Sequence, residues 1–288
     1  MVTVLLGGLV VIAVAFAAAM WRARARAGTR GISLEGIGLG AVTNFFDTLG
    51  IGSFAPTTAY VKLRRMVPDS FIPAVLNAGH ALPTVTQALV FIALVDVSTK
   101  LLVGCIVAAV VGALAGAPLV VRMPLKLLQA IVGVALLVAA ALFALGNLEL
   151  LPSGGTARDL SGGLFVAAVA VHFVLGALMT AGIGLYGPSL AFLSLLGLDP
   201  KAVFPIMMGA CAFLMPASGF KFVASDRIDH RVVAGLALGG IPAVLLAAYV
   251  VKELPLTTLR WLVVAVVLYT AVVMLRAATR REPAAATA

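Results

Sequence analysis

Charge is the scarcest thing in this chain. Of 288 residues only 11% are Asp, Glu, Lys or Arg, while 62% are hydrophobic and the mean hydropathy is +1.16. No segment is both long and polar, which excludes a soluble domain of ordinary composition and leaves an integral membrane protein. Cysteine is almost absent. Cys105 and Cys211 both lie in apolar segments, which excludes a disulfide framework and suits thiols packed as small hydrophobes. Also missing are a P-loop, zinc-ligand spacing and a Ser/His/Asp set at membrane depth. Those absences argue against nucleotide, metal and hydrolytic chemistry, so no enzyme activity, cofactor or metal is expected. An intramembrane aspartyl protease needs two buried carboxylates, and only Asp47 sits inside an apolar stretch.

What the chain does have is apolar runs of membrane-crossing length. Candidate spans are 2–21, 70–95, 101–121, 127–146, 203–223, 232–251 and 257–275. The first lacks a basic segment before its apolar run, so it reads as an uncleaved span with its N-terminus outside and not as a signal peptide. Two further segments, 34–66 and 164–198, are broken by glycine. In the first, the pieces 34–45 and 53–66 would be helices of about 18 and 21 Å, too short for a hydrocarbon core of ~30 Å. Each broken segment therefore reads as a re-entrant hairpin that returns to its own side. The net charge of +9 is a topology signal here, not a nucleic-acid footprint. With both hairpins re-entrant, only Lys100, Arg158, Lys201, Lys252 and Arg260 of the 20 Lys and Arg fall outside, and the rest, with the C-terminus, fall on the cytoplasmic side.

An internal repeat leads to the same arrangement. Residues 42–82 align with 174–214 without a gap, with identities at 12 of 41 positions. They include Thr48/Thr180, Gly50/Gly182, Ile51/Ile183, Gly52/Gly184, Pro56/Pro188, Pro68/Pro200 and Pro73/Pro205. Each repeat is one hairpin plus three spans, and an odd number of crossings turns the second copy upside down. The expected fold is thus an all-α integral membrane protein built as an inverted repeat, each half a re-entrant broken-helix hairpin plus three transmembrane helices. Residues 1–30 supply an extra N-terminal transmembrane helix and a basic loop. The first repeat is 31–146, an outside linker 147–163, the second repeat 164–278 and a cytoplasmic tail 279–288.

Inverted repeats with broken helices are the build of secondary transporters. Tip glycines (Gly50, Gly52, Gly182, Gly184) let the backbone take positive φ and approach a ligand. The half-helices that follow start near Ser53, an expected N-cap, and Tyr186, each with a proline in its first turn. They aim unpaired amides and positive dipole ends at the tip, a site for a small anion. The alternative is that these glycines serve close packing. Asn77, His80, Thr84 and Gln87 are spaced three, four and three apart and share one helix face. Asn77 and His80 read as substrate or proton contacts, and Thr84 and Gln87 as either site residues or interhelical glue. Phe54, next to Ser53 at the first tip, and Tyr186 at the second read as substrate contacts too. Asp47 is a functional candidate by its depth alone, either a proton carrier, a role His80 shares, or a cap for the turn. His172 reads as packing, and Lys221 as a side chain that snorkels to the cytoplasmic face.

The duplicated element Gly50-Ile51-Gly52 with Pro56, and Gly182-Ile183-Gly184 with Pro188, resembles the TauE/SafE sulfite-exporter family. The resemblance covers about residues 34–276. It implies a multi-pass protein of the bacterial inner membrane that moves sulfite, sulfonates or related sulfur-containing anions, with the lipid bilayer and a small anion as its partners. An anion channel, a carboxylate transporter and a non-transporting membrane subunit remain as alternatives. Homo-oligomers are compatible with all of these.

Overall fold

The computed structural model describes residues 2–120, 125–150, 155–179, 184–223 and 227–279, and every regular element among them is helical. Helix α1 (Val2–Arg26) is followed by α2 (Leu34–Thr48) and α3 (Phe54–Arg64), and a single 3-10 turn then leads into α4 (Ile72–Leu94). Next come α5 (Thr99–Val120), α6 (Leu125–Asn147), α7 (Gly162–Met179) and α8 (Tyr186–Leu195). The chain closes with α9 (Pro200–Val223), α10 (His230–Glu253) and α11 (Leu256–Thr279). Among the described residues 7 helices are long and apolar enough to cross a membrane, so the protein is a multi-pass membrane protein.

The breaks fall where the sequence puts them, and their chemistry is local. Ser33 caps α2 by accepting the Gly36 amide at 3.0 Å. At the other end of α2 the amides of Leu49 and Gly50 fold back onto the carbonyls of Phe46 and Asp47. Gly50 and Gly52 then take φ of 98° and 87°, a region that L side chains rarely adopt. At 15 and 11 residues, α2 and α3 are about 22 and 16 Å long, and neither crosses ~30 Å of hydrocarbon. The second broken segment differs. Its first arm, α7, has 18 residues and qualifies by length and composition as a span. A break near residue 184 leaves almost a full-length helix before it, whereas α8 has 10 residues. The tip positions Thr180, Gly182 and Ile183 lie outside the described residues.

Both broken segments close on themselves. At the first, Glu35 at the start of α2 accepts hydrogen bonds from Tyr60 (2.9 Å) and Arg64 (2.8 Å) at the end of α3. At the second, Ala157 just before α7 pairs with Leu198 just after α8, and the Asp199 amide donates to the Ala157 carbonyl at 2.7 Å. Helix α4 starts beside the first closure and runs about 34 Å to a loop whose Ser98 amide donates to Arg158, next to the second closure. The two mouths therefore lie at opposite ends of α4.

The helix contacts repeat under exchange of α2–α6 with α7–α11. Helix α2 packs on α10 as α7 packs on α5; α4 meets α10 as α9 meets α5; α4 meets α9 and α6 meets α11 directly. Both hairpin crossings rely on backbone-to-backbone approach. A methyl at Gly40 or Gly239 would overlap the Leu236 or Ile37 carbonyl, and one at Gly176 or Gly112 the Ala109 or Phe173 carbonyl. Small residues drive helix association in lipid because they let such contacts form. The exchange is imperfect at the second arms. Helix α8 is buried against α6, α9 and α11, whereas α3 rests mainly on α2 and α4, with Tyr60, Leu63 and Arg64 exposed. Helix α1 stands outside the pattern, held to α4 and α9 by Leu9 and by Phe16, whose ring meets Phe220 edge-on at 5.3 Å.

Candidate functional site

The two tips meet. Asp47, Gly52, Ser53 and Phe54 of the first, and Gly184, Leu185 and Tyr186 of the second, line one cavity of about 30 Å³ together with Thr84, Met179, Cys211 and Met215. That volume holds a water molecule or two, so the tips stand closed on each other. Six of the residues expected at a binding site from sequence are thus in one place: Gly52, Ser53, Phe54, Thr84, Gly184 and Tyr186, with Asp47 beside them. Gly50 is a neighbour in the chain but faces Leu190, Val266 and Met207.

Gln87 ties the tips together. Its Nε2 donates to Asp47 Oδ2 at 2.8 Å and to Thr48 Oγ1 at 3.0 Å, while its Oε1 accepts the Tyr186 hydroxyl at 2.6 Å. All four side chains are buried. The Ser53 hydroxyl and amide also act on the Asp47 carboxylate. A buried carboxylate demands such partners, since leaving one unpaired is costly, and no ion pair to Asp47 occurs among the described residues.

Ser53 behaves differently from expectation. It occupies the N-cap position of α3 but makes no side-chain cap bond, because its φ of −84° and ψ of −26° are helical. A capping hydroxyl needs an extended residue to reach back to the second or third amide. Position 185 of α8 is leucine and also supplies no side-chain cap. The first-turn amides of both half-helices are therefore not satisfied by side-chain caps, as an anion site requires. Gly52 has the positive φ expected of a tip glycine, but Gly184 does not.

Asn77 and His80 stand off the cavity. Asn77 accepts from Ser218 Oγ (3.0 Å) and donates to the Pro73 carbonyl (2.9 Å). His80 is fully buried, with Nδ1 3.0 Å from Asn44 Oδ1 and Nε2 3.0 Å from Thr57 Oγ1. The Asn44 amide nitrogen donates to Gly40 at 2.7 Å, which orients its oxygen toward the ring. Nδ1 is then the protonated nitrogen, and Nε2 accepts from Thr57. His172 is matched in role: Nδ1 meets the Ala168 carbonyl at 2.8 Å and Nε2 meets Ser189 Oγ at 3.0 Å. Thr57 and Ser189 are equivalent under the 132-residue repeat, so each second arm is pinned by a histidine from a different helix. Sequence reading missed this pair because it scored identities and passed over a Thr/Ser match. Replacing His80 by alanine strands the Thr57 hydroxyl and the Asn44 oxygen in the interior. We expect a loss of about 2–5 kcal/mol, read as a lower melting temperature, with the pH profile of ligand binding unmoved.

Two interrupted helices that close at opposite ends of α4 thus meet at one small, largely apolar cavity, and discontinuous helices that meet inside the membrane are a build found in secondary transporters. Residues 164–288 match the family model of the sulfite exporters TauE/SafE, the family that the repeated tip motif resembles. The match spans the second half of the molecule, from α7 onward. No curated protein and no solved structure matches the chain.

Proposed function

We propose that the chain is a secondary transporter for a small anion, namely sulfite, a sulfonate or a related sulfur oxyanion, bound between the two tips. The observation that carries this reading is the meeting of two interrupted helices, with mouths at opposite ends of α4, in one cavity bridged by Gln87. In this reading the broken segments are re-entrant hairpins and residues 31–146 and 164–278 are inverted repeats. The contacts that recur under exchange of α2–α6 with α7–α11 support that symmetry, and the sulfite-exporter match supports the substrate class. The anionic head accepts from the first-turn amides of α3 and α8, from Ser53 and Thr84, and from Tyr186 once its hydroxyl leaves Gln87. Alternating access follows when one repeat moves against the other. The face carrying Arg24, Arg64, Arg65 and Arg231 is cytoplasmic, on the positive-inside rule, in a bacterial inner membrane.

Thermal stability of the purified protein against a panel of sulfite, methanesulfonate, sulfate and acetate tests this. A ligand that binds only the folded state adds about 2.7 kcal/mol at a hundredfold excess over its Kd. Stabilisation by sulfite or sulfonate but not acetate is expected. Stabilisation by acetate alone would replace the substrate class with carboxylates, and a flat panel would leave a non-transporting subunit. Counterflow of labelled sulfite in proteoliposomes separates a carrier from a channel.

A further inference from the structure

Helices α4 and α9 run antiparallel through the centre of the molecule and meet in three rungs spaced seven residues apart. On α4 the positions are Asn77, Thr84 and Phe91; on α9 they are Ser218, Cys211 and Phe204. Seven residues is close to two turns, so each trio forms one stripe of its helix and successive rungs stand about 10 Å apart. The middle rung, Thr84 and Cys211, lines the tip cavity. Two turns to one side, Ser218 Oγ donates to Asn77 Oδ1 at 3.0 Å. Two turns to the other, the Phe91 and Phe204 rings stack with centroids 5.4 Å apart and planes inclined by 18°.

Beyond the aromatic rung lies a second cavity, of about 230 Å³. Phe91 and Phe204 form part of its wall, and Asp96, Arg158, Asp199 and Lys201 bring charge to it. Arg158 is paired there with Asp96 at 3.3 Å. This charged chamber thus ends on an apolar plug that is itself two turns from the tip cavity.

We propose that α4 and α9 line the permeation path, with Phe91–Phe204 as the gate toward the Arg158 chamber and Asn77–Ser218 as the gate toward the opposite face. This rests on the transport reading of the tips. The two gates differ in chemistry. A stacked aromatic pair offers an anion nothing to replace its hydration shell and holds back water and ions alike. The Asn–Ser contact is a single neutral hydrogen bond that water can substitute once the helices separate. The equal spacing places the tip cavity midway, where opening either rung alone exposes it to one face.

Cys211 is a native reporter on the middle rung. In full-length protein carrying Cys105→Ala, its modification by a membrane-impermeant methanethiosulfonate is followed by mass spectrometry, from each face separately, in right-side-out and inside-out vesicles. Phe91→Ala should speed labelling from the chamber face by about tenfold or more, as opening governs access, and leave the other face unchanged. Asn77→Ala should do the converse. Phe204→Leu, which keeps most of the ring's bulk, serves if Phe91→Ala does not purify as a monodisperse protein. Equal acceleration from both faces, reversed sidedness, or no change in any folded variant overturns the gates. Sulfite uptake is measured in the same vesicles. Uptake by the parent protein with labelling insensitive to the rungs refutes the gates alone; sided labelling without uptake refutes transport and leaves the path.

Discussion

Gly184→Leu will purify as a folded protein and will carry no measurable anion. Among the described residues a Cβ added at Gly184 meets no atom within 4 Å, and the residue does not need positive φ, so the first added carbon meets neither overlap nor backbone strain. The space it enters is the tip cavity, of about 30 Å³, and a leucine side chain more than fills it, pressing on the side chains around it. Transport should fall below detection in proteoliposomes while the protein still folds, with a melting temperature lower by several degrees, about 1–3 kcal/mol. The control is Gly239→Leu, at the crossing of α2 and α10. There the first added carbon already overlaps the Ile37 carbonyl, two backbones must part, and the loss should exceed about 4 kcal/mol, seen as failure to purify. Normal sulfite uptake by a folded Gly184→Leu protein would remove the tip cavity from the mechanism.

Asp47→Asn should tighten sulfonate binding near neutral pH and make it independent of pH. Asp47 lines the same cavity as the half-helix ends, so an ionised carboxylate and a bound anion oppose each other there. At roughly 5 Å and an effective dielectric of about 20, that repulsion is about 3 kcal/mol, or roughly a hundredfold in affinity. Protonating Asp47 removes it, so wild-type affinity should rise as pH falls, and a proton is taken up with each anion by linkage. Methanesulfonate is the probe of choice because it does not titrate over the range of interest. Asparagine keeps an oxygen for the Gln87 amide, so stability should change little. If Asp47 is only a brace for the turn, the variant will melt earlier and keep the wild-type pH profile; that result would end the proton-carrier role. The same variant should bind anion yet fail to accumulate it under a proton gradient.

The outcome at His80 shows where reading a sequence stops. A histidine on the polar face of a membrane helix is a reasonable proton or ligand contact. Its two ring nitrogens meet Asn44 and Thr57, which lie 36 and 23 residues away. Asn77, on the same stripe, meets a serine 141 residues away. Gln87, which sequence left between glue and site, joins the tips through Tyr186, 99 residues distant. None of these partners could be named from the helix that carries the residue.

The sequence alone determined the breaks, the repeat and the membrane class. Those rest on local chemistry: glycine's access to positive φ at Gly50 and Gly52, proline in a first helical turn, and apolar runs long enough for a bilayer. They act within a few residues and survive in any tertiary context. Tertiary structure decided which polar groups face the cavity, that α8 is enclosed while α3 is exposed, and that Cys211 sits between the Asn77–Ser218 and Phe91–Phe204 contacts. Those depend on which helices cross and at what depth, and crossing is set by close backbone approach between segments such as α2 and α10, far apart in the chain. The same four polar types on α4 would suit several crossings. Packing against α2, α8 and α9 gave His80 to the hairpin, Gln87 to both tips, Thr84 to the cavity and Asn77 to Ser218.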